Sequence, residues 1–448
     1  MKKIGVAAIL LINPMTNTVQ ASDLTGFAPV SNLVNSCPWN GGGYFKLPGF
    51  DTCLKIGGEL KGDVISDNFA NENENRLTDT AAHIESRLSF DTKTNLGPFV
   101  LTTFSGVKYL WDQETTKAEI EADTAAIRIE GAFGSLAGGI QKSLYTGFTG
   151  YSGLSVGGEN WSDNDTLQAT LLGWAGPFEF GFSVEDVVYK DVGSTTNMSI
   201  PHVKTSNDYA YIGALAYQND LFSLKLSGSV IELGEMDLSF QKTTLGSPPK
   251  QNYAKRFGSQ YNYAINFNTE IRATDYVNVS FGAQAGKGAA GYTGFNFENY
   301  LFKPHLGSPY DLQGYPVIEK MMRLEGNETY AQSLFNLSGA TSYTLAGGLN
   351  VMLLENVHLT FDTSYQSFEM KEDIFELTGT GFSLGSSLIW KPVQNLGVEL
   401  GAGFNQYELK ADLVRSAESG PAFDYAFELE NKALQIGTRI NYVFDPKF

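Results

Sequence analysis

The chain has 448 residues, with 48 Gly, 30 Phe and 22 Tyr against 2 Cys and 4 His. So few Cys and His argue against a metal enzyme or a disulfide-rich module, and no cofactor is expected. With 31 Lys+Arg against 49 Asp+Glu the net charge is -18, which argues against nucleic acid, whose phosphates need basic clusters.

Lys2 and Lys3 form a positive start, Gly5 to Ile12 an apolar run, and Val19-Gln20-Ala21 a small-residue cleavage site. Residues 1–21 therefore read as a secretory signal peptide. The apolar run is shorter than the roughly 20 residues of a spanning helix. After cleavage near Ser22 the chain is expected outside the cytoplasm. No later apolar stretch is long enough for a spanning helix. The mean hydropathy of -0.16 excludes a helix bundle but not a membrane barrel, where only every second residue is apolar. Residues 22–53 read as an N-terminal periplasmic segment. It holds Cys37 and Cys53, and in an exported chain a disulfide between them is the default expectation.

From residue 54 to residue 448 the pattern predicts one antiparallel β-barrel. Alternating segments fall at 54–65, 81–92, 99–110, 118–130, 135–142, 166–174, 178–189, 207–217, 221–231, 259–272, 277–287, 341–353, 356–368, 376–390, 396–408 and 431–445. They number about sixteen, each near the roughly 9–11 residues of a tilted membrane strand. Connections alternate in length. Short turns such as Ala175-Gly176-Pro177 and Glu355-Asn356 separate longer polar stretches at 66–80, 111–117, 143–165, 190–206, 232–258, 288–340, 369–375 and 409–430. Sorted loops of this kind belong to a bacterial barrel with tight periplasmic turns and larger outer loops. A soluble sandwich has no reason to sort them.

Period-two alternation assigns two faces. Phe178, Phe180, Phe182 and Val184 oppose Glu179, Ser183 and Glu185. Val357, Leu359, Phe361 and Tyr365 oppose His358, Asp362 and Gln366. Leu396, Val398, Leu400, Ala402 and Phe404 oppose Glu399 and Asn405. In a barrel the apolar face meets lipid and the polar face lines a lumen. About sixteen strands enclose a lumen too wide for side chains to fill. Parity blurs in 118–130 and 135–142, which points to a bulge or a subunit contact there. The last run ends Phe444 to Phe448 on the apolar face. It reads either as a barrel-closing strand whose terminal aromatic is the insertion signal for barrel-assembly machinery, or as the edge of a soluble sandwich.

Residues 37–58 read CPWNGGGYFKLPGFDTCLKIGG. This stretch resembles the N-terminal signature of the alphaproteobacterial (Rhizobiales-type) outer-membrane porin family. It has a Cys, a Gly-rich aromatic patch, Pro48-Gly49, Asp51-Thr52-Cys53, then Lys55-Ile56-Gly57-Gly58 opening the first strand. Phe50 departs from the small Thr expected before Asp51. The likeness is densest at the two ends and thin in the long loops. It implies a sixteen-stranded, trimeric, water-filled channel for small hydrophilic solutes and ions. Its surroundings would be outer-membrane lipid and lipopolysaccharide.

The resemblance also implies an inward-folded third outer loop, here 143–165, SLYTGFTGYSGLSVGGENWSDND. Its glycines suit irregular backbone, Tyr145, Phe148, Tyr151 and Trp161 suit packing on the wall, and Glu159, Asp163 and Asp165 supply charge. These carboxylates are expected to line the constriction opposite basic side chains. By parity the candidates are Lys55, Lys61, Arg87, Lys108, Arg128 and Arg439. Opposed charges across a narrow lumen order water and disfavour apolar solutes, and an acidic lumen favours cations. The plainer reading is that they are solvated lumen or loop charges. The 288–340 connection could cap the pore, bind lipopolysaccharide phosphate or face solvent.

Two enzyme-like strings carry no chemistry. Gly286 to Gly291 fits a dinucleotide pattern, but no helix follows. Gly381-Phe382-Ser383-Leu384-Gly385 fits a nucleophile elbow but lies inside a strand. His83, His202, His305 and His358 lack metal spacing. The alternatives to a general channel are a sugar-type channel with an aromatic track and a barrel enzyme with a Ser/His/acid group at its rim. No such group is found.

Overall fold

The computed structural model describes residue 37 and residues 43–47, 49–66, 80–112, 117–147, 150–154, 165–186, 209–233, 236–241, 252–257, 260–289, 292–293, 339–372, 375–414 and 424–444. Its strands begin with β1 (Phe45–Lys46), β2 (Thr52–Ser66), β3 (Thr80–Asn95), β4 (Val100–Asp112), β5 (Lys117–Glu130) and β6 (Gly134–Lys142). Next come β7 (Asp165–Ala175), β8 (Phe178–Asp186), β9 (Tyr209–Gln218), β10 (Phe222–Leu233), β11 (Met236–Gln241) and β12 (Asn252–Phe257). The last are β13 (Gln260–Thr274), β14 (Val277–Lys287), β15 (Thr341–Leu354), β16 (Val357–Glu372), β17 (Phe375–Val393), β18 (Leu396–Val414) and β19 (Asp424–Phe444).

Each strand from β2 to β10 pairs with the next, β10 pairs with β13, and the run continues to β19, which pairs back onto β2. Nine strands (β2–β10) and seven (β13–β19) thus make a closed antiparallel barrel of sixteen among the described residues. Closure removes the free edges that an open sheet would expose. The tight turns form where the sequence supplies side chains that hold them. Asn95 Oδ1 accepts from Gly97 N at 2.9 Å. Asn219 Oδ1 accepts from Leu221 N at 2.9 Å and Phe222 N at 2.8 Å.

Burial excludes the sandwich reading. A sandwich hides its apolar face, yet here Leu400 is 57% exposed and Ile440 55%, while Ser183 is 0% and Gln366 1%. Apolar side chains face outward and polar ones inward, the inverse of a soluble protein and the pattern of a membrane barrel.

Two features depart from the sequence reading. The 232–258 connection contains a separate hairpin, β11 paired with β12, where only a loop is expected. Strands β16–β19 run to 16, 19, 19 and 21 residues, well beyond bilayer height, so most of 369–375 and much of 409–430 are strand. Their outer ends exchange apolar side chains for ion pairs such as Lys371–Glu376 at 3.1 Å and Lys410–Glu428 at 3.6 Å. The bulge expected in 118–130 is present: Gly106 pairs with Thr124 and Val107 with Ala122, leaving Asp123 as the extra residue. The bulge turns the inward face from Glu121 to Thr124, Ala126 and Arg128, which is why parity blurs in 118–130. In β6, Gly139 has φ 132°, and a Cβ there would lie 2.1 Å from Ala125 O. Only glycine fits that position.

Cys37 and Cys53 are joined by a disulfide and both are buried. β1 pairs Phe45 with Leu54 and Lys46 with Cys53. The described pairing of β19 with β2 stops at Gly58, so β1 covers the stretch of β2 edge below it. Residues 1–21 and Phe448 lie outside the described residues.

Leu400 sits midway along the apolar stretch of β18. Leu400→Arg should cost about 2–4 kcal/mol of folding stability, checked by urea titration of barrels folded into vesicles. The same change at inward-facing Asn405 should cost far less.

Candidate functional site

After β6 ends at Lys142 the chain turns into the lumen. Ser143 Oγ and Leu144 N donate to Glu185 Oε1 of β8 at 3.0 and 3.1 Å. Tyr145 O accepts from Ser227 Oγ of β10 at 3.0 Å and Asn266 Nδ2 of β13 at 2.8 Å. Lys225 Nζ donates to Thr146 O at 2.6 Å. Further along, Tyr151 N and Ser152 N donate to Asp362 of β16 at 3.0 and 2.8 Å. Ser152 Oγ, Gly153 N and Leu154 N donate to Glu399 Oε1 of β18 at 2.7, 3.1 and 3.3 Å. Tyr151 OH donates to Glu270 at 3.0 Å.

These bonds fix residues 143–147 and 150–154 along the inner wall of β8 to β18. Wall carboxylates accept from loop amides that would otherwise be buried unpaired. Hydrogen bonds to a charged acceptor contribute about 1.5–3 kcal/mol each, more than neutral ones. The wall also makes room. A Cβ on Gly348 would lie 2.9 Å from Tyr151 Cδ2 and 2.8 Å from Asp362 Oδ1, so glycine permits the loop's close approach. Burial pushes the Tyr145 phenol up. Burial together with the Glu270 carboxylate does the same to Tyr151. Both stay protonated and add no charge.

The opposite wall is different. On the inner faces of β2 to β5, Lys61 lies 3.3 Å from Glu59 and 3.2 Å from Glu85. Arg87 lies 3.2 Å from both Glu85 and Asp123, and Lys108 3.2 Å from Glu121. These side chains keep contact with the lumen: Arg87 is 36% exposed and Glu121 47%. The bulge at Asp123 is what brings that carboxylate to Arg87. The described part of the loop thus rests on a wall whose charged groups, Glu185, Lys225, Glu270, Asp362 and Glu399, bond to it, while the ion-paired wall of β2 to β5 keeps contact with the lumen.

A family profile described as porin subfamily matches residues 28–433. The chain belongs to the porin family. Among curated relatives, porin Omp2b of Brucella canis is 32% identical over 132 residues, 27% of this chain and 34% of that protein. Porin Omp2b of Brucella suis is 29% identical over 126 residues, 27% and 33% of the two chains. This porin therefore aligns with about a third of the length of the curated relatives it matches. The outer membrane channel DcaP of Acinetobacter baumannii has TM-score 0.55 at 13% identity, covering 90% of this chain and 100% of that one. OmpT of Vibrio cholerae in its trimer form has TM-score 0.50 at 11% identity, covering 88% and 99%. At such identities the likeness is one of fold. The porin is a multi-pass β-barrel of the outer membrane.

The structure gathers the basic candidates on one side. Lys55 and Lys61 lie on β2, Arg87 on β3, Lys108 on β4, Arg128 on β5 and Arg439 on β19. Lys61, Arg87 and Lys108 stand in the ion pairs above. Lys55 lies 6.0 Å from the centre of the Tyr44 ring, and Arg128 5.2 Å from that of Phe104. Arg439 has a different role: it grips Asp63 with two nitrogens, at 2.6 and 2.7 Å, and donates to Gly153 O of the loop. It fastens the loop tip. Glu159 and Asp163 lie outside the described residues, as do Phe148 and Trp161. Asp165 is the first residue of β7, opposite Lys142 in register, at the outer rim.

Sequence reasoning missed the latch formed by Glu185, Asp362 and Glu399. Parity put all three in the lumen, where Glu399 stands opposite Arg439 in register and Asp362 stands opposite the glycines Gly348 and Gly385. A carboxylate facing glycines on both neighbouring strands, as Asp362 does, was the available signal. Ser383, from the elbow-like string, is fully buried against Ser364 at 2.5 Å.

Glu399→Gln keeps the shape but removes the charge, weakening each loop bond by about 1 kcal/mol. Single-channel recording should show larger and noisier conductance, with faster proteolysis in 143–165. Conductance and cleavage identical to wild type would sink the latch.

Proposed function

We propose that this porin passes small hydrophilic solutes and ions by passive diffusion, prefers cations, and works as a homotrimer. The observation that carries the reading is the charged, part-exposed wall of β2 to β5 left open beside a loop held against the other wall. Along that wall carboxylates flank the bases on both sides: Lys61 between Glu59 and Glu85, Arg87 between Glu85 and Asp123. Such a surface carries hydrated ions, repels apolar solutes and leans acidic. The chain's net charge of -18 adds to it. Glu159 and Asp163 are proposed as the loop charges facing Lys55, Lys61, Arg87, Lys108 and Arg128, and Asp165, on the Leu167 face of β7 beside Lys142, as a charge of the outer rim.

The sugar-type alternative gains no support. Among the described lumen aromatics Tyr145, Phe368 and Tyr407 are buried, and half-buried Phe104, Tyr151 and Trp174 are engaged by Arg128, Glu270 and Ala132 O, which does not favour a continuous track. The trimer rests on the trimer form of OmpT. Lipid and lipopolysaccharide around the barrel, and recognition of Phe448 by assembly machinery, follow from the same reading.

In planar bilayers under a salt gradient the reversal potential should report cation preference. Glu85→Gln with Asp123→Asn should shift it towards anions, as should neutralising Glu159, Asp163 and Asp165 together. Anion preference in wild type, or no shift in either set, would overturn the selectivity. Light scattering of detergent-extracted protein should give three times the protomer mass, and a monomer mass would remove the trimer.

A further inference from the structure

The connection that follows β14 does not simply leave the barrel. Gly288 and Ala289 are buried, and so are Tyr292 and Thr293, with Ala289 and Thr293 at 0% exposure. The partners of this short stretch all sit on inner faces. Asn262 Nδ2 of β13 donates to Gly288 O at 2.7 Å. Thr344 Oγ1 of β15 donates to Thr293 O at 2.6 Å, and the Thr293 and Ser342 hydroxyls meet at 2.6 Å. Gly288 N donates to Ala340 O at 2.6 Å, so the two described ends of the connection are tied together at the wall. For these residues the solvent-facing reading of 288–340 is wrong.

What Tyr292 touches matters more. Its ring meets the Tyr145 ring edge-on, centroids 5.2 Å apart. Its hydroxyl donates to Glu185 Oε2 at 3.4 Å, while Glu185 Oε1 holds Ser143, Leu144 and Ser183. One buried carboxylate thus serves the root of the third loop with one oxygen and this second segment with the other. Tyr145 is fully buried and its own hydroxyl has no partner among the described residues. The Tyr292 ring is therefore a specific neighbour that fixes how Tyr145 sits.

We propose that the segment opening the β14–β15 connection is a second inward element of the pore, and that Tyr292 is a positioning residue that locks the root of the third loop. The proposal rests on the channel reading. With this lock in place the loop holds one position against the wall, and the open section beside β2 to β5 has one size. Without it the Tyr145 ring loses the neighbour that fixes it, the root is less firmly placed, and the channel gains further conductance levels.

Single-channel recording on the full-length protein tests this. In Tyr292→Ala, alternate conductance levels should become about three- to tenfold more populated, the shift expected from losing one aromatic pair. The closing voltage should fall. Tyr292→Phe, which keeps the ring and loses only the long hydroxyl contact, should stay close to wild type. Glu185→Gln, equal in shape and less disruptive to folding, should show the same extra levels. Heat-modifiable mobility in gels confirms that each variant is a folded barrel. Wild-type levels and closing voltage in folded Tyr292→Ala and Glu185→Gln would overturn the lock. Wild type without any stepwise conductance would instead overturn the channel reading itself.

Discussion

Closure of β19 onto β2 is the constraint on which everything else depends. A backbone N–H or C=O facing hydrocarbon has no water to bond, so a sheet can stand in lipid only if its last strand returns to its first. The register runs from Gly58 opposite Phe444 to Ser66 opposite Ile436, and β1 covers the β2 edge just below. Once the sheet is closed, alternation along each strand sends one set of side chains to lipid and the other to the lumen. Sixteen strands make that lumen too wide for the inward side chains to meet. A segment of chain has to enter it if the passage is to be narrow.

The inner wall divides the work. From β8 to β18 it offers hydroxyls, amides, Lys225 and carboxylates that meet loop backbone. A loop with unpaired amides finds acceptors there, and glycines such as Gly348 let its backbone come close. From β2 to β5 the wall is dense in charge. Lys61 and Arg87 are each flanked by two acids and Lys108 pairs with one, so these side chains satisfy one another and remain hydrated instead of binding loop backbone. Arg439 stands at the boundary, pairing with Asp63 on one side and the loop tip on the other. Loop placement and open passage are thus two results of one uneven distribution of polar groups.

Strand positions and faces were legible because membrane strands repeat every two residues, and Phe178, Phe180 and Phe182 against Ser183 and Glu185 leave little ambiguity. Strand heights in β16–β19 were less legible, since the outer ends of those strands carry Lys371, Glu376, Lys410 and Glu428. Local reading takes such residues for loop, and only the ion pairs across strands show otherwise. The bulge at Asp123 showed in the sequence as blurred parity, but its meaning required the partner strand.

The sequence by itself determined the class of protein, the compartment, the inward and outward faces, the strand number and the identity of the entering loop. The first four follow from local period, local composition or the spacing of turns, and the entering loop follows from the family resemblance carried by residues 37–58. Tertiary structure alone decided which wall the loop rests on, why Glu185, Asp362 and Glu399 are latches, and why Arg439 is a fastener. It also decided that Tyr292 meets Tyr145. Those residues lie up to hundreds of positions apart, and a hydrogen bond or ring contact between them depends on the curvature of a closed sheet. No short window of sequence contains that curvature.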